Sequence, residues 1–109
     1  MSRAKGDAAE EKACAFLYEN GYVILQRNFY SRFGEIDIIA EKKGTLHFVE
    51  VKSAPYYETA VANITVSKLS KIIKTAELYM KKEGMENDYT FDALVVTPDD
   101  VTLVEDITI

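Results

Sequence analysis

Tryptophan is absent from this chain of 109 residues, and cysteine and histidine occur once each. A single cysteine, Cys14, excludes an intramolecular disulfide and fits a reducing, cytoplasmic setting. Long apolar runs are missing as well: the longest are strand-sized, too short to span a bilayer. No charged-then-apolar leader opens the chain at Met1-Ser2-Arg3, so export is not expected. There is no internal repeat, low-complexity tract or linker, and the length predicts one domain over residues 1–109. Basic residues are missing from one end. All 13 lie in residues 1–84 beside 11 acids, whereas residues 85–109 hold seven acids and no base.

What is present is the composition of an ordinary globular protein, 48% hydrophobic and 28% charged. The net charge of -5 argues against a polyanionic partner, because phosphate binding draws on Lys and Arg. Its uneven distribution weakens that argument, since a basic surface can still form on the first part of the chain.

Helical spacing of Ala9, Ala13, Phe16 and Leu17 predicts a first helix from about Gly6 to Asn20, stopped by Asn20-Gly21. Strand-like runs follow at Tyr22–Arg27, Gly34–Glu41 and Thr45–Ser53, the last two joined by a tight turn at Lys43-Gly44. Ala54-Pro55 ends the third strand and leads into a loop of roughly ten residues. Thr65 or Ser67 can cap a second helix to about Glu83, with Leu69, Ile72, Ile73, Ala76, Tyr79 and Met80 on one stripe. Gly84 stops it, and strands Tyr89–Thr97 and Val101–Ile107 flank a turn at Pro98-Asp99-Asp100. The order α-β-β-β-α-β-β predicts an α/β fold with a mixed five-stranded sheet flanked by helices, the helix between the third and fourth strands making a parallel connection.

A hairpin centred on Lys43-Gly44 sets Asp37 opposite Glu50, Glu35 opposite Lys52 and Ile39 opposite Phe48. Two facing carboxylates repel each other and call for a cation or a proton. Mg²⁺ or Mn²⁺ suits such a pair, being held through one or two carboxylates with the remaining positions left to water and phosphate oxygens. Lys52 adds a positive charge suited to orienting water or neutralising a phosphate in its transition state. Glu10 lies within about 20° of Leu17 on the helical wheel, which aims a further carboxylate at the sheet. Two plainer arrangements remain open from spacing alone: a solvated cross-strand ion-pair cluster, and a Glu10 that complements the helix dipole in solvent.

Around these residues the chain resembles the YraN-like family of small uncharacterised bacterial proteins, assigned to the restriction-endonuclease-like, PD-(D/E)xK nuclease superfamily. The resemblance covers nearly the whole chain. It rests on Gly6-x-x-Ala9-Glu10, Gly21-Tyr22-x-Ile24-Leu25-x-Arg27-Asn28, Gly34-Glu35-Ile36-Asp37-Ile38-Ile39-Ala40 and Phe48-Val49-Glu50-Val51-Lys52, then on Lys68, Ala76 and Phe91-Asp92. It implies a restriction-endonuclease-like core and metal-dependent cleavage of DNA. Asp37 and Glu50 would be the metal ligands, Lys52 the catalytic lysine and Glu10 the helix-borne acid. By analogy with resolvase-like relatives, a homodimer would embrace a duplex or branched junction. The chain departs from the family pattern at Ala9, where glycine is usual, and at Ser53-Ala54-Pro55, where Thr-Arg and further basic residues often follow the lysine.

Other candidates are set by position. Lys68 borders the apolar stripe of the second helix near Ile72 and Tyr79, and matches a lysine of the family, so it is a candidate nucleic-acid contact. Arg27 and Arg32 flank a Phe-Tyr pair on the way into the second strand, a mix that can stack on bases or grip phosphates. Lys71, Lys74, Lys81 and Lys82 lie opposite the stripe, the geometry of a solvated face. His47 points away from the acidic face, and Cys14 is expected to pack in the core. The alternative to an enzyme is a module that keeps the nuclease scaffold and binds nucleic acid or protein without useful turnover. A third reading is an acid cluster that holds a structural cation.

Overall fold

The computed structural model describes residues 3–108, with side chains from Ala8 to Thr108; Met1, Ser2, Ile109 and the environment of Gly6 lie outside the described part. Helix α1 (Arg3–Glu19) is followed by β1 (Val23–Tyr30), β2 (Glu35–Lys42) and β3 (Thr45–Ser53). Helices α2 (Tyr57–Ala62) and α3 (Val66–Glu83) lead to β4 (Tyr89–Val96) and β5 (Val101–Val104). The strands lie in one sheet in chain order, antiparallel except for the parallel pair β3–β4. A parallel pair needs a crossover, and the α2–α3 segment supplies it. The expected α/β fold with a mixed five-stranded sheet is therefore found.

Turn chemistry explains the hairpin between β2 and β3. Lys43 and Gly44 both have positive φ, 53° and 85°, the backbone that a two-residue turn requires to match strand twist. The register follows, with Ile39 opposite Phe48 as expected. Thr65 is the cap of α3, its Oγ1 accepting the Lys68 N–H at 3.2 Å, and Gly84 closes the helix in the left-handed region at φ 64°.

Each face of the sheet is covered by one helix. Ala13, Leu17 and Tyr22 pack on Ile38, Ala40, Val49 and Leu94, with Cys14 half-buried beside them. On the other face Ile72, Ala76 and Tyr79 of α3 pack on Phe29, Ile36, Ile39, Leu46, Phe48 and Phe91. Phe48 and Leu17 are fully buried, each stabilising the fold by roughly 1.5–3 kcal/mol relative to exposure.

Three boundaries differ from the sequence reading. The ten-residue loop after Pro55 contains the six-residue helix α2, whose single buried residue is Ala60. Strand β1 continues past Arg27 to Tyr30, because Phe29 and Tyr30 still pair with Ile36 and Glu35. The last strand stops at Val104 rather than Ile107. Asp106 turns into the left-handed region at φ 52°, and the chain crosses back so that Ile107 N–H donates to Phe91 O at 2.8 Å. Leu69 also leaves the expected stripe: it lines a shallow groove with Val66 and Ile73 instead of joining the core. Thr75, a polar residue of α3, is instead fully buried, its hydroxyl 2.8 Å from Ser31 Oγ and donating to Lys71 O.

Candidate active site

The β2–β3 ladder runs from Lys42 opposite Thr45 to Ile38 opposite Val49 and then ends. Asp37 and Glu50 are the next residues on each strand, so they face each other where the strands part. Glu35 does not reach Lys52 across this ladder; it pairs with Tyr30 on β1. The backbone N–H of Val51, left without a strand partner on that side, donates to Asp37 Oδ2 at 2.8 Å. The aspartate therefore serves as the acceptor that β2 no longer offers.

Parting strands leave the acids sheltered, with Glu50 Oε1 lacking a hydrogen-bond partner. Glu50 and Lys52 are 15% and 23% exposed at their side chains, with Lys52 Nζ 4.0 Å from Glu50 Oε2. This separation is too long for a hydrogen bond, so Lys52 acts on the pair as a nearby charge. Burial raises the Glu50 carboxyl to about 8, with the Asp37 charge adding to the effect and Lys52 opposing it. Burial likewise lifts Asp37 to about 6, against the bond from Val51, while Glu35 and Glu10 add repulsion and Lys52 relieves it. An exposed ion-pair cluster would show none of this, and that reading falls away.

Glu10 is buried at 9% exposure, as the helical wheel predicts, rather than ending in solvent. Its Oε1 accepts from Asn28 Nδ2 at 3.2 Å and lies 3.5 Å from Arg27 Nη2. Arg27 Nη1 donates to Glu11 Oε1 at 2.8 Å. The guanidinium is thus shared between two acids of α1. Arg32 is exposed and lies over the Phe33 ring at 4.6 Å, and the Lys68 ammonium donates to Asn63 O at 3.2 Å, at the end of α2. His47 turns away from the acids, its Nδ1 2.6 Å from Oδ2 of the fully buried Asp92. Burial pushes the Cys14 thiol up, which suits packing rather than nucleophilic chemistry.

Among the described residues, the buried side-chain atoms left without a hydrogen-bond partner are Glu50 Oε1, Glu35 Oε2 and Asn28 Oδ1. All three belong to residues that surround or touch the acids. Paired carboxylates with an orphaned buried oxygen are a donor set that fits a hard divalent cation, which needs only one or two carboxylates beside its waters. No three His, Cys, Asp or Glu side chains among the described residues converge closely enough to enclose a metal ion by themselves. The fit is that of an open two-carboxylate site rather than a closed cage.

The sequence pattern of an uncharacterised protein family, UPF0102, matches residues 9–96, a span that holds every acid and lysine of the site. The chain belongs to that family. A UPF0102 protein of Sulfurimonas denitrificans is 61% identical over 109 residues, covering 100% of both chains. UPF0102 proteins of Wolinella succinogenes and Helicobacter pylori are each 51% identical, the second over 106 residues that make up 97% of this chain and 92% of the relative. UPF0102 is the YraN-like family of the sequence comparison, so that part of the resemblance holds. No helix among the described residues is long and apolar enough to cross a membrane.

Glu35 and Asn28 are the site residues that the sequence reading passed over. Alternation along β2 placed Glu35 in an ion pair with Lys52, which requires a ladder that has already ended at Ile38. Asn28 was visible only as part of the Arg27-Asn28 pair. Asparagine is among the few residues that accept a left-handed backbone, and its φ of 54° is the signal.

Proposed function

We infer that this UPF0102 protein is a metal-dependent nuclease that hydrolyses phosphodiester bonds in DNA. The observation that carries this reading is the half-buried Asp37–Glu50 pair, both carboxyls raised by burial and Glu50 raised further by the Asp37 charge, with the Lys52 ammonium beside it. The resemblance to the PD-(D/E)xK superfamily supports the same assignment of residues.

Asp37 and Glu50 would hold Mg²⁺, or Mn²⁺ in its place, and Glu10 would complete the site through water. The ion supplies positive charge that activates water and neutralises phosphate oxygens. Lys52 orients the attacking water and offsets charge on the phosphate as it develops. The Val51 N–H keeps Asp37 from turning away from Glu50. Lys68, Arg32 and the exposed edge of Arg27 contact the phosphate backbone, and two copies of the chain give the span that a duplex or branched junction needs. The setting is the cytoplasm.

The test is incubation with Mg²⁺ or Mn²⁺ and labelled single-stranded, duplex and branched DNA, beside Asp37→Asn and Lys52→Ala. Metal-dependent cleavage present in the wild type and lost in both variants supports the enzyme. Equal trace cleavage in all three marks contamination and ends the catalytic reading. The seven acids of residues 85–109 favour a second reading, a nuclease scaffold that binds without turnover. DNA binding without cleavage selects it.

A further inference from the structure

In an extended strand, consecutive side chains leave opposite faces of the sheet. Arg27 and Asn28 break that rule: both reach α1, Arg27 to Glu11 and Asn28 to Glu10. The left-handed backbone at Asn28, φ 54°, accompanies this change of direction within a strand that resumes at Phe29 opposite Ile36. Asparagine tolerates that region better than most side chains, though less freely than glycine. A second cost sits on the same residue. Only the amide nitrogen can donate to a carboxylate, so with Nδ2 on Glu10 the oxygen is turned elsewhere, and Oδ1 is buried with no partner among the described residues. Strain and an orphaned acceptor on one side chain are poor returns for stability, and they coincide at Glu10, the acid of α1 that is buried.

We propose that Asn28 is a positioning residue of the acid site, its side-chain amide holding the Glu10 carboxylate toward Asp37 for a divalent cation. The proposal rests on the metal-dependent reading above. Arg27 holds the same Oε1 only at 3.5 Å and gives its short bond to Glu11, so Asn28 is the group that sets the direction of Glu10. Glu10 itself is 9% exposed, turned toward the sheet rather than into solvent. Outer hydrogen bonds of this kind orient ligands that would otherwise swing among rotamers, and removing one typically weakens metal binding about ten- to hundredfold.

Asn28→Gly separates positioning from architecture, because glycine accepts the left-handed backbone without strain. Mn²⁺ titration by calorimetry should show affinity reduced about ten- to hundredfold, with the melting temperature unchanged or higher. In a Glu10→Gln background the same substitution should change Mn²⁺ affinity by less than about twofold, the signature of an effect transmitted through Glu10. A loss of the same size in that background overturns the proposal, as does an Asn28→Gly protein that binds Mn²⁺ like the wild type or melts several degrees lower. A measurement without any change at Asn28 covers failure of the glycine variant to fold. The Asn28 side-chain amide resonance must shift in metal-free Glu10→Gln, and must follow a Mg²⁺ titration of the wild type. If Mg²⁺ binds and that resonance stays still, Asn28 is not part of the site. If no resonance in the protein responds to Mg²⁺ or Mn²⁺, the metal-dependent reading itself fails.

Discussion

The carboxylate of Asp37 accepts the backbone N–H of Val51 at 2.8 Å, and Val51 stands between Glu50 and Lys52 on β3. One hydrogen bond thus ties the acid of β2 to the strand segment that carries its partners. Asparagine can keep that bond through its own side-chain oxygen while losing the charge. Asp37→Asn should therefore fold as stably as the wild type at neutral pH or better, because a repulsive neighbour of Glu50 is removed. Metal-dependent cleavage should fall by at least about a hundredfold. Denaturant unfolding and a cleavage assay on one preparation check both halves, and a variant that is stable and fully active removes Asp37 from the chemistry.

Stability of the metal-free protein should depend on pH in a direction opposite to that of an ordinary paired carboxylate. Folding raises Asp37 from 3.8 to about 6 and Glu50 from 4.5 to about 8, so between those limits the folded state binds more protons than the unfolded one. Stability contributed by the pair is then present below about pH 4 and is lost as pH rises through about 8. The melting temperature should drop across that range, by about 4–8 °C for each kcal/mol lost. Glu50→Gln should flatten the upper part of the profile. Mg²⁺ should restore the melting temperature near pH 8 and have little effect near pH 5, since it competes with the protons that the pair has taken up. Equal stabilisation at both pH values would show that the ion binds elsewhere.

Much of this arrangement is legible in the sequence because local rules and the global fold agree. Lys43-Gly44 dictates a two-residue turn, the turn sets the register, and the register brings Asp37 to Glu50. The wheel position of Glu10 correctly aims it inward because α1 packs on the sheet along Ala13 and Leu17. Two of the failures share a cause: a backbone leaves its regular period. Asn28 turns left-handed inside β1, so neither the length of that strand nor the direction of the Asn28 side chain follows from alternation. Asp106 does the same beyond β5 and ends a strand whose residues have strand-like propensity up to Ile107. The parting of β2 from β3 beyond Ile38 is a tertiary event, and it isolates Glu35 from Lys52.

Asp92 organises the far face of the sheet. It is 0% exposed, with His47 Nδ1 at 2.6 Å from Oδ2, while Oδ1 accepts from Thr90 Oγ1 at 3.3 Å and from the Asp106 N–H at 2.9 Å. Removing a buried carboxylate with several partners leaves donors unsatisfied, and Asp92→Ala should cost about 3–5 kcal/mol. The C-terminal crossing depends on the same side chain, so hydrogen exchange at the Asp106 and Ile107 amides should quicken well beyond the global change. Asp92→Asn, which can still accept from Asp106, should lose less. If exchange at those two amides rises no more than in the core strands, Asp92 does not act as a latch.

Charge contacts to DNA, if the protein makes them, would be separable from charge contacts within the site by their salt dependence. A Glu50→Gln background should prevent turnover, and binding of fluorescent duplex measured by anisotropy over a range of KCl gives the slope of log affinity against log salt. Arg32→Ala and Lys68→Ala should each reduce that slope by about 1 and leave Mn²⁺ affinity unchanged, the result expected for side chains that neutralise a single phosphate. Arg27→Ala should differ from both. Its side chain is 37% exposed, bound to Glu11 at 2.8 Å and only near Glu10 at 3.5 Å, so its removal should lower the slope and weaken Mn²⁺ binding less than Asn28→Gly does. Slopes unchanged in Arg32→Ala and Lys68→Ala would place both residues outside the DNA interface, whereas an unchanged Mn²⁺ affinity in Arg27→Ala would mean that Asn28 holds Glu10 unaided.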